Sequence, residues 1–541
     1  MSKEYQSEIV IVGGGIAGIT TAIELLNFDK KVLIIDRDTE ANFGGLAKES
    51  FGGMFFVDTP HQRKSGIKDS PELAYKDWCS VANFGPDDVL PKQWAKAYVY
   101  ESTSKVYDWL KQQGISFFPV VHWVERGLFK PGNSVPRFHM VWGTGAELTK
   151  VLNKKLLNHP KAAANLTIKY EHKVEDLIAS EKGVVGVSGT NESSGENFTA
   201  TGKQIVIAAG GMGGNIEKVR AHWYKPWGDP PEVILNGAHK YALGDLHDAV
   251  AQKEGAVTHL DKNWPYAAGV NHPRPQKKDH GLSLVPPKSA LWLDYTGKRF
   301  GPIPLITAFD TRWTVEEICK QEKKYSWQVL NMKIAYKEFA ISGSESNKAM
   351  RDKSWVGFIK TILFGNKELV HDMVDNCIDF VTADTIEELV VKMNELAGTD
   401  DVKLEHVKTD IEAYDAQIDR GPSYHNDDQL RRIAQTRQYK GDKVRTCKFQ
   451  KIVDPKAGKL LAIREHILSR KTLGGIQTNL DCQVMGVDGK PMEGLFAVGE
   501  VAGFGGGGMH GVGTLEGTFL GGCVLTGRVA AYAMAGKKLI K

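Results

Sequence analysis

Cysteine is scarce in this chain and no sign of charge dominates. Its 541 residues hold six cysteines (Cys79, Cys319, Cys377, Cys447, Cys482 and Cys523), scattered and with no C-x-x-C pair. That argues against an Fe–S cluster, a structural zinc site and a C-x-x-C-H haem, and predicts a reducing compartment. Lys and Arg number 69 against 65 Asp and Glu, a net charge of +4. A balance of this kind points to neither nucleic acid nor an anionic membrane. Long apolar runs are missing as well. The most apolar late stretch, Thr518 to Ala535, is rich in glycine and carries Arg528, so it reads as a buried helix, and no integral membrane segment is expected. The opening residues Met-Ser-Lys-Glu-Tyr lead almost at once into an apolar strand. They show no secretory h-region, and a cytoplasmic protein is expected. The remainder is ordinary: 42% hydrophobic and 25% charged residues, in a length that suits two or three domains.

Glycine is plentiful, and its first cluster organises the rest. Glu8-Ile-Val-Ile-Val12 reads as a buried strand, Gly13-Gly14-Gly15-Ile16-Ala17-Gly18 as a G-x-G-x-x-G turn, and Ile19 to Leu26 as one face of a helix. A second strand, Lys31 to Ile35, ends at Asp36. Gly13 permits the tight turn, Gly15 lets backbone approach a pyrophosphate, and Gly18 lets helix pack on strand. The N–H groups from Ile16 and Ala17 onward then face the phosphates, and Asp36 sits where a carboxylate binds ribose hydroxyls. Arg37 reads as a solvated charge, or as the partner of a ribose 2′-phosphate. The Gly pairs of Gly44-Gly45-Leu46-Ala47 and Gly52-Gly53 suggest backbone lying against something flat or bulky.

Further along, residues 70–113 read as helices, opened by Ser70-Pro71 and closed by Gly114. Residues 115–145 form a Pro- and Gly-punctuated loop with Arg137, His139 and Trp142. This loop is either a pocket wall or the seat of a structural Arg–His pair. Leu166 to Tyr170, His172 to Ile178 and Val184 to Ser188 read as a small meander. Gln204 to Ala209 reads as a strand running into Gly210 and returning to the first sheet. From about 226 to 440 the texture changes to proline clusters and helices, read as an inserted domain. Trp264, Tyr266, Trp292, Arg299, Arg312, Tyr325 and Trp327 are available there for substrate, with Arg431-Arg432 on solvated surface. From 441 the first domain resumes. It contains Arg470-Lys471-Thr-Leu-Gly-Gly475, Gly494 to Glu500, the glycines of 503–513 with His510, and Gly517-Thr518-Phe519-Leu520 at the start of a terminal helix.

These motifs resemble, over nearly the whole chain, the flavoproteins of the fumarate reductase, succinate dehydrogenase and 3-ketosteroid dehydrogenase superfamily. Within it the chain is most similar to bacterial FAD-binding dehydrogenases. The resemblance implies an α/β fold: a Rossmann-like FAD-binding domain split between 1–225 and 441–541, with an α+β cap domain at 226–440. It implies FAD pyrophosphate on the first turn, adenosine ribose on Asp36, and flavin beside Gly44-Gly45. It further implies adenine against Val174, a second Gly turn at Ala208-Ala209-Gly210-Gly211, ribitol on Glu500, and the flavin pyrimidine edge at Gly517 to Leu520. Where relatives carry a flavin-bonded His, this chain reads Gly44-Gly-Leu-Ala-Lys48, so the FAD is expected to be non-covalent. The dicarboxylate-binding His-His-Thr-Met-Gly-Gly is replaced by Arg470-Lys-Thr-Leu-Gly-Gly475, and the Asn-Arg pair by Gly513-Thr514. The ketosteroid enzymes' Tyr-Pro-Gly-Pro-Gly is replaced by His510 to Gly517.

The resemblance therefore implies an oxidoreductase acting on a CH–CH bond beside a carbonyl, with hydride passing between substrate carbon and flavin N5. Candidate proton carriers are His510 and His139, and candidate polarising cations are Arg299, Arg470 and Lys471, each equally readable as structural. Expected partners are a small ketone or enone and an external electron donor or acceptor, with no nucleic acid. An NAD(P)H-linked flavoprotein reductase and a non-catalytic flavin-binding subunit are the alternatives.

Overall fold

Short runs of β-branched residues, buried on both faces, build the first sheet. In the computed structural model, which describes residues 2–181 and 183–540, Ile9–Val12 lies between Val32–Ile35 and Gln204–Ile207, parallel to both. Pro491–Ala497 extends the sheet beyond Gln204–Ile207, Leu166–Lys169 extends it beyond Val32–Ile35, and Gln483–Met485 closes it antiparallel. The strand order reverses at Ile9–Val12, so its carboxyl end opens onto the crevice that such sheets use for ligands. A separate sheet orders Lys3–Gln6, Asn197–Thr201, Gly183–Asn191 and His172–Ser180. The strand at Leu166 therefore belongs to the main sheet, not to the meander expected for it. It is an edge strand, only partly buried, so its pattern carries no mark of a buried parallel strand.

The chain forms two units: Met1–Tyr224, Ala238–Trp264 and Arg470–Lys541 in one, Lys225–Gly237 and Pro265–Ser469 in the other. In the first, the helices Ile16–Asn27 and Thr518–Met534 cross at close range. A Cβ on Gly527 would stand 2.6 Å from the Ala17 carbonyl, and Thr21 Oγ1 donates to the Gly527 carbonyl at 3.1 Å. Glu24 and Arg528, both buried, pair across the crossing at 2.6 Å. Residues 238–264 return to this unit. Leu246, Ala249 and Val250 join the core of Val10, Leu33 and Ile207, and Val257–Thr258 pairs with Gly475–Ile476.

The second unit is an α+β body around a mixed sheet ordered Leu291–Leu293, Tyr325–Asn331, Leu460–Thr472, Asn263–Asn271, Gly281–Val285, Ala340–Ile341. The sequence predicts a return to the first domain at 441. In the structure Leu460 to His466 pair antiparallel with Asn331 to Tyr325, and Arg464 reaches the buried Asp379, which keeps the chain in the second unit through Ser469. Trp292 and Trp327, expected to be available for substrate, are buried in this unit, with Trp292 Nε1 donating to Ser326 Oγ at 2.9 Å. Arg432, read as solvated, is buried, paired with Asp428 and over the Phe309 ring. Among the described residues no helix is long and apolar enough to cross a membrane.

Candidate functional site

The first turn divides its glycines by task. Gly13 has φ +107°, and a Cβ there would stand 2.4 Å from the Ala208 carbonyl oxygen. A Cβ on Gly18 would stand 2.1 Å from the Gly13 carbonyl oxygen. These two positions are glycine because backbone packs on them. Gly15 differs: no described atom lies within 4 Å of its would-be Cβ. It opens the helix Ile16–Asn27 with no side-chain cap and no acid in the first turn, so the N–H groups of Ile16, Ala17 and Gly18 form an anion seat.

Asp36 follows the next strand and accepts from Gly14 N at 2.5 Å and Asp38 N at 2.8 Å. Burial pushes its carboxyl up. Gly14, which the sequence reading left without a role, leaves room for the Phe43 ring and this carboxylate. Arg37 is neither simply solvated nor free for a 2′-phosphate. Its guanidinium pairs with Glu192 at 2.8 Å and lies 4.4 Å over the Tyr241 ring. Asp38, also unforeseen, is buried with His239 and Lys240 at 3.4 and 3.3 Å.

The second glycine segment rests on the first. Gly44 bridges to Gly15, and Gly45, at φ +63°, would put a Cβ 3.2 Å from Gly15 Cα. Leu46 and Ala47 lie half-buried in the turn Gly45–Glu49, where Ala47 O accepts from Ser50 Oγ at 2.7 Å. Gly53 has a packing reason: the Phe138 ring fills its side-chain space. Val174 is buried in the smaller sheet's core. Ala209 and Gly210 follow the returning strand, with Gly210 at φ +79°.

At the far end of the chain a second uncapped helix start appears. Gly517, at φ +98°, precedes Thr518–Met534 with no side-chain cap and no acid in the first turn. Its carbonyl accepts from Phe55 N at 2.8 Å. Thr518 and Phe519 are buried and Leu520 partly so. Glu500 accepts from Thr472 N at 3.0 Å, and burial pushes its carboxyl up. A Cβ on Gly211 would strike both the Glu500 carboxylate and Thr472 Oγ1, so the second Gly turn and the R-K-T-L-G-G segment interlock.

Around this helix start the structure gathers several candidates. Lys471 Nζ lies 4.1 Å over the Phe519 ring. Burial pushes its ammonium down to about 8, opposed by Glu516 and Glu500 and aided by Arg470. Trp264 Nε1 donates to Glu516 at 2.7 Å. His510 packs its ring 5.1 Å from Phe519 and stacks at 5.4 Å on Trp78. Its Nε2 shares a 2.7 Å hydrogen bond with Thr518 Oγ1, which meets Thr514 Oγ1 at 2.8 Å, while its Nδ1 has no partner among the described residues. Burial, then Lys471, push the imidazole down to about 3. The Thr514–Thr518 pair carried no sequence signal beyond helix spacing.

The other candidates are held elsewhere. His139 is wholly buried with both nitrogens engaged, by Thr59 Oγ1 and the Arg137 carbonyl, each at 2.8 Å. Burial pushes it down to about 3. Arg137 is locked between Asp69 and Asp77, which fits the structural alternative for that loop. Arg299 lies in the second unit, on Asp427 at 2.6 Å and Gln429 at 2.7 Å. Burial resists ionisation of Asp427, and Arg299 overrides it, holding the carboxyl below its usual range. Arg470 sits half-buried beside Lys471.

Comparison with known proteins shows the family and the fold. The family profile described as FAD binding domain matches residues 8–520. A KsdD-like steroid dehydrogenase of Mycobacterium tuberculosis (strain CDC 1551) is 41% identical, over 98% of this chain and 96% of the relative. Among solved structures, the 3-ketosteroid Δ1-dehydrogenase of Sterolibacterium denitrificans aligns with a TM-score of 0.69 and 16% identity, over 98% of this chain and 99% of that one. The open conformation of a flavocytochrome c3 fumarate reductase aligns with 0.67 and 20%, over 98% and 78%. At these identities the two structures attest the fold.

Proposed function

The chain belongs to the FAD-binding-domain family and is an FAD-dependent oxidoreductase of the CH–CH class, and from that premise we propose that its substrate is a ring ketone of the steroid type. The observation that carries the proposal is the end-to-end likeness to the mycobacterial steroid dehydrogenase. The replacement of both dicarboxylate anchors, at Lys471 and at Gly513-Thr514, supports it.

The residues present fit FAD. Gly15's open side and the uncapped start at Ile16 suit the pyrophosphate, and Asp36, held by Gly14 N, suits the adenosine ribose. Glu500 is assigned to the ribitol and the start at Thr518 to the flavin ring, with Gly44 to Ala47 beside it. FAD, when bound, supplies the hydride acceptor or donor. Residues 44–48 contain no His, so we take it to be held without a covalent bond; acid precipitation should release the yellow colour.

The chain's own groups then sort by protonation. Lys471, at about 8, is largely cationic at neutral pH and is our polarising cation. His510, at about 3, is neutral and a weak base, which disfavours it as proton carrier. We assign it instead to positioning the Thr518 hydroxyl. His139 and Arg299 are better read as structural.

Anaerobic flavin bleaching against 3-ketosteroids, cyclic ketones and succinate tests the reading. Bleaching by a saturated or partly saturated 3-ketosteroid is expected. Bleaching by succinate alone, or by NADH or NADPH alone, would overturn it.

A further inference from the structure

In the second unit the helix Trp355–Phe364 faces the wrong way for an ordinary surface helix. None of its residues is buried. Val356, Leu363, Phe364, Ile359 and Trp355 are 81, 70, 67, 53 and 46% exposed. At 100° per residue, Trp355, Ile359, Leu363 and Val356 fall on one outward stripe, while Gly357, Phe358, Thr361 and Ile362 turn inward, half-buried. Surface helices of globular proteins show the reverse pattern, and a contiguous exposed apolar face marks an interaction site.

The setting of this stripe bears on what could cover it. Residues 348–368 carry five basic side chains (Lys348, Arg351, Lys353, Lys360 and Lys367) and two acids, Asp352 and Glu368, which pair with Arg351 at 2.8 Å and Lys348 at 2.9 Å and leave a basic excess. Lys360 lies at the margin of the apolar stripe. Beside the helix runs a groove of about 680 Å³ lined by Leu363 and Phe364 together with Lys333, Lys337, Lys456 and Lys459. Asp454 and Asp384 lie 3.8 Å from Lys333 and Lys459. Apolar side chains ringed by lysines, with an indole at one end, match an acyl layer beneath anionic headgroups. A protein partner would need matching carboxylates, and a second copy would bring the same lysines against themselves.

We propose that the helix Trp355–Phe364 docks this enzyme on an anionic lipid bilayer, lying in the interface plane with Val356, Ile359 and Leu363 among the acyl chains and the surrounding lysines on phosphate. The placement does not depend on the substrate assigned above.

Flotation of the flavin-loaded protein with vesicles of phosphatidylcholine, with and without phosphatidylglycerol, tests it. Flotation with the anionic vesicles, weakened by salt, is expected. Ile359→Asp with Leu363→Asp should cut it by about tenfold or more, while flavin content and steroid turnover in free solution stay unchanged. Lys360→Glu should reduce flotation less. No flotation of the wild type, equal flotation on phosphatidylcholine alone, or flotation indifferent to the double variant overturns the proposal. A wild-type dimer that Leu363→Asp splits, with neither form floating, reassigns the face to a second copy.

Discussion

Helix starts of two opposite kinds occur in this chain, and the two units supply clear examples of each. In the second unit the starts after Asp310, Asn331, Ser354, Thr385 and Asp427 are each closed by that residue's own side chain, which accepts from a first-turn N–H. In the first unit four starts follow a glycine, at Ile16, Thr144, Asp245 and Thr518, and none has a side-chain cap; those at Ile16 and Thr518 also have no acid in the first turn. A capped start has given a first-turn donor to its own chain and is read as structure. The uncapped start at Ile16, beside the open space at Gly15, keeps its donors for something that binds. Carboxylates serve the backbone in both units: Asp415 accepts from Ile452 N and Val453 N at 2.7 and 2.9 Å, and Asp36 accepts from Gly14 N and Asp38 N. The first unit in addition brings Glu500 and Glu516 to bear on Lys471.

Substitutions can break or sharpen this contrast. The largest effect is expected in the second unit at Asp427, which both caps a helix and holds Arg299. Asp427→Ala leaves that guanidinium without its carboxylate and should cost about 3–5 kcal/mol in denaturant unfolding. In the first unit, Lys471→Met should lower turnover about 10²–10³-fold with little change in stability. Because burial has lowered the ammonium to about 8, wild-type turnover should fall as pH rises through that value, and the variant's pH profile should be flat there. Next come paired glycine changes. Gly18→Ala drives a Cβ into the Gly13 carbonyl and should destabilise even the flavin-free protein by about 1–3 kcal/mol. Gly15→Ala meets no protein atom, at a backbone φ of −77° that alanine accepts, so it should weaken flavin binding and leave flavin-free stability unchanged. Equal stability losses in both would erase the division of tasks.

A smaller effect is expected at Glu465 of the second unit. It is wholly buried, its oxygens have no partner among the described residues, and burial with Asp379 nearby pushes its carboxyl well up. The native state keeps that proton after the unfolded chain has lost it. Stability should therefore fall as pH rises above the ordinary value, by at most about 1.4 kcal/mol per pH unit. Glu465→Gln should flatten this fall in melts between mildly acid and neutral pH. Least of all, Thr385→Ala removes one cap and should cost about 1 kcal/mol.

The first turn, its helix, Asp36 and the terminal helix could all be read from the chain, because strand, glycine and acid recur at spacings set by backbone geometry. What escaped reading depends on contacts between residues far apart in sequence. The edge position of Leu166–Lys169 is fixed by its pairing with Val32–Ile35. The late boundary is fixed by Arg464 finding Asp379. The roles of Thr472 and Thr518 arise only when Glu500 and His510 fold onto them. Trp292 and Trp327 looked available for substrate because aromatic residues fill cores and pockets alike. The near-neutral net charge gave no hint of the proposed membrane face, since a count over the whole chain averages away the local basic excess beside one apolar helix.

Consider last the crossing at Gly527 and Ala17. The two helices that seal together there are separated by most of the gene. While the ribosome is still translating, the amino-terminal turn emerges with its partner helix not yet made, and must remain soluble in that state. If Glu500 and the start at Thr518 hold the flavin as proposed, the pigment is loaded after synthesis of the final segment, and premature-stop products should be colourless.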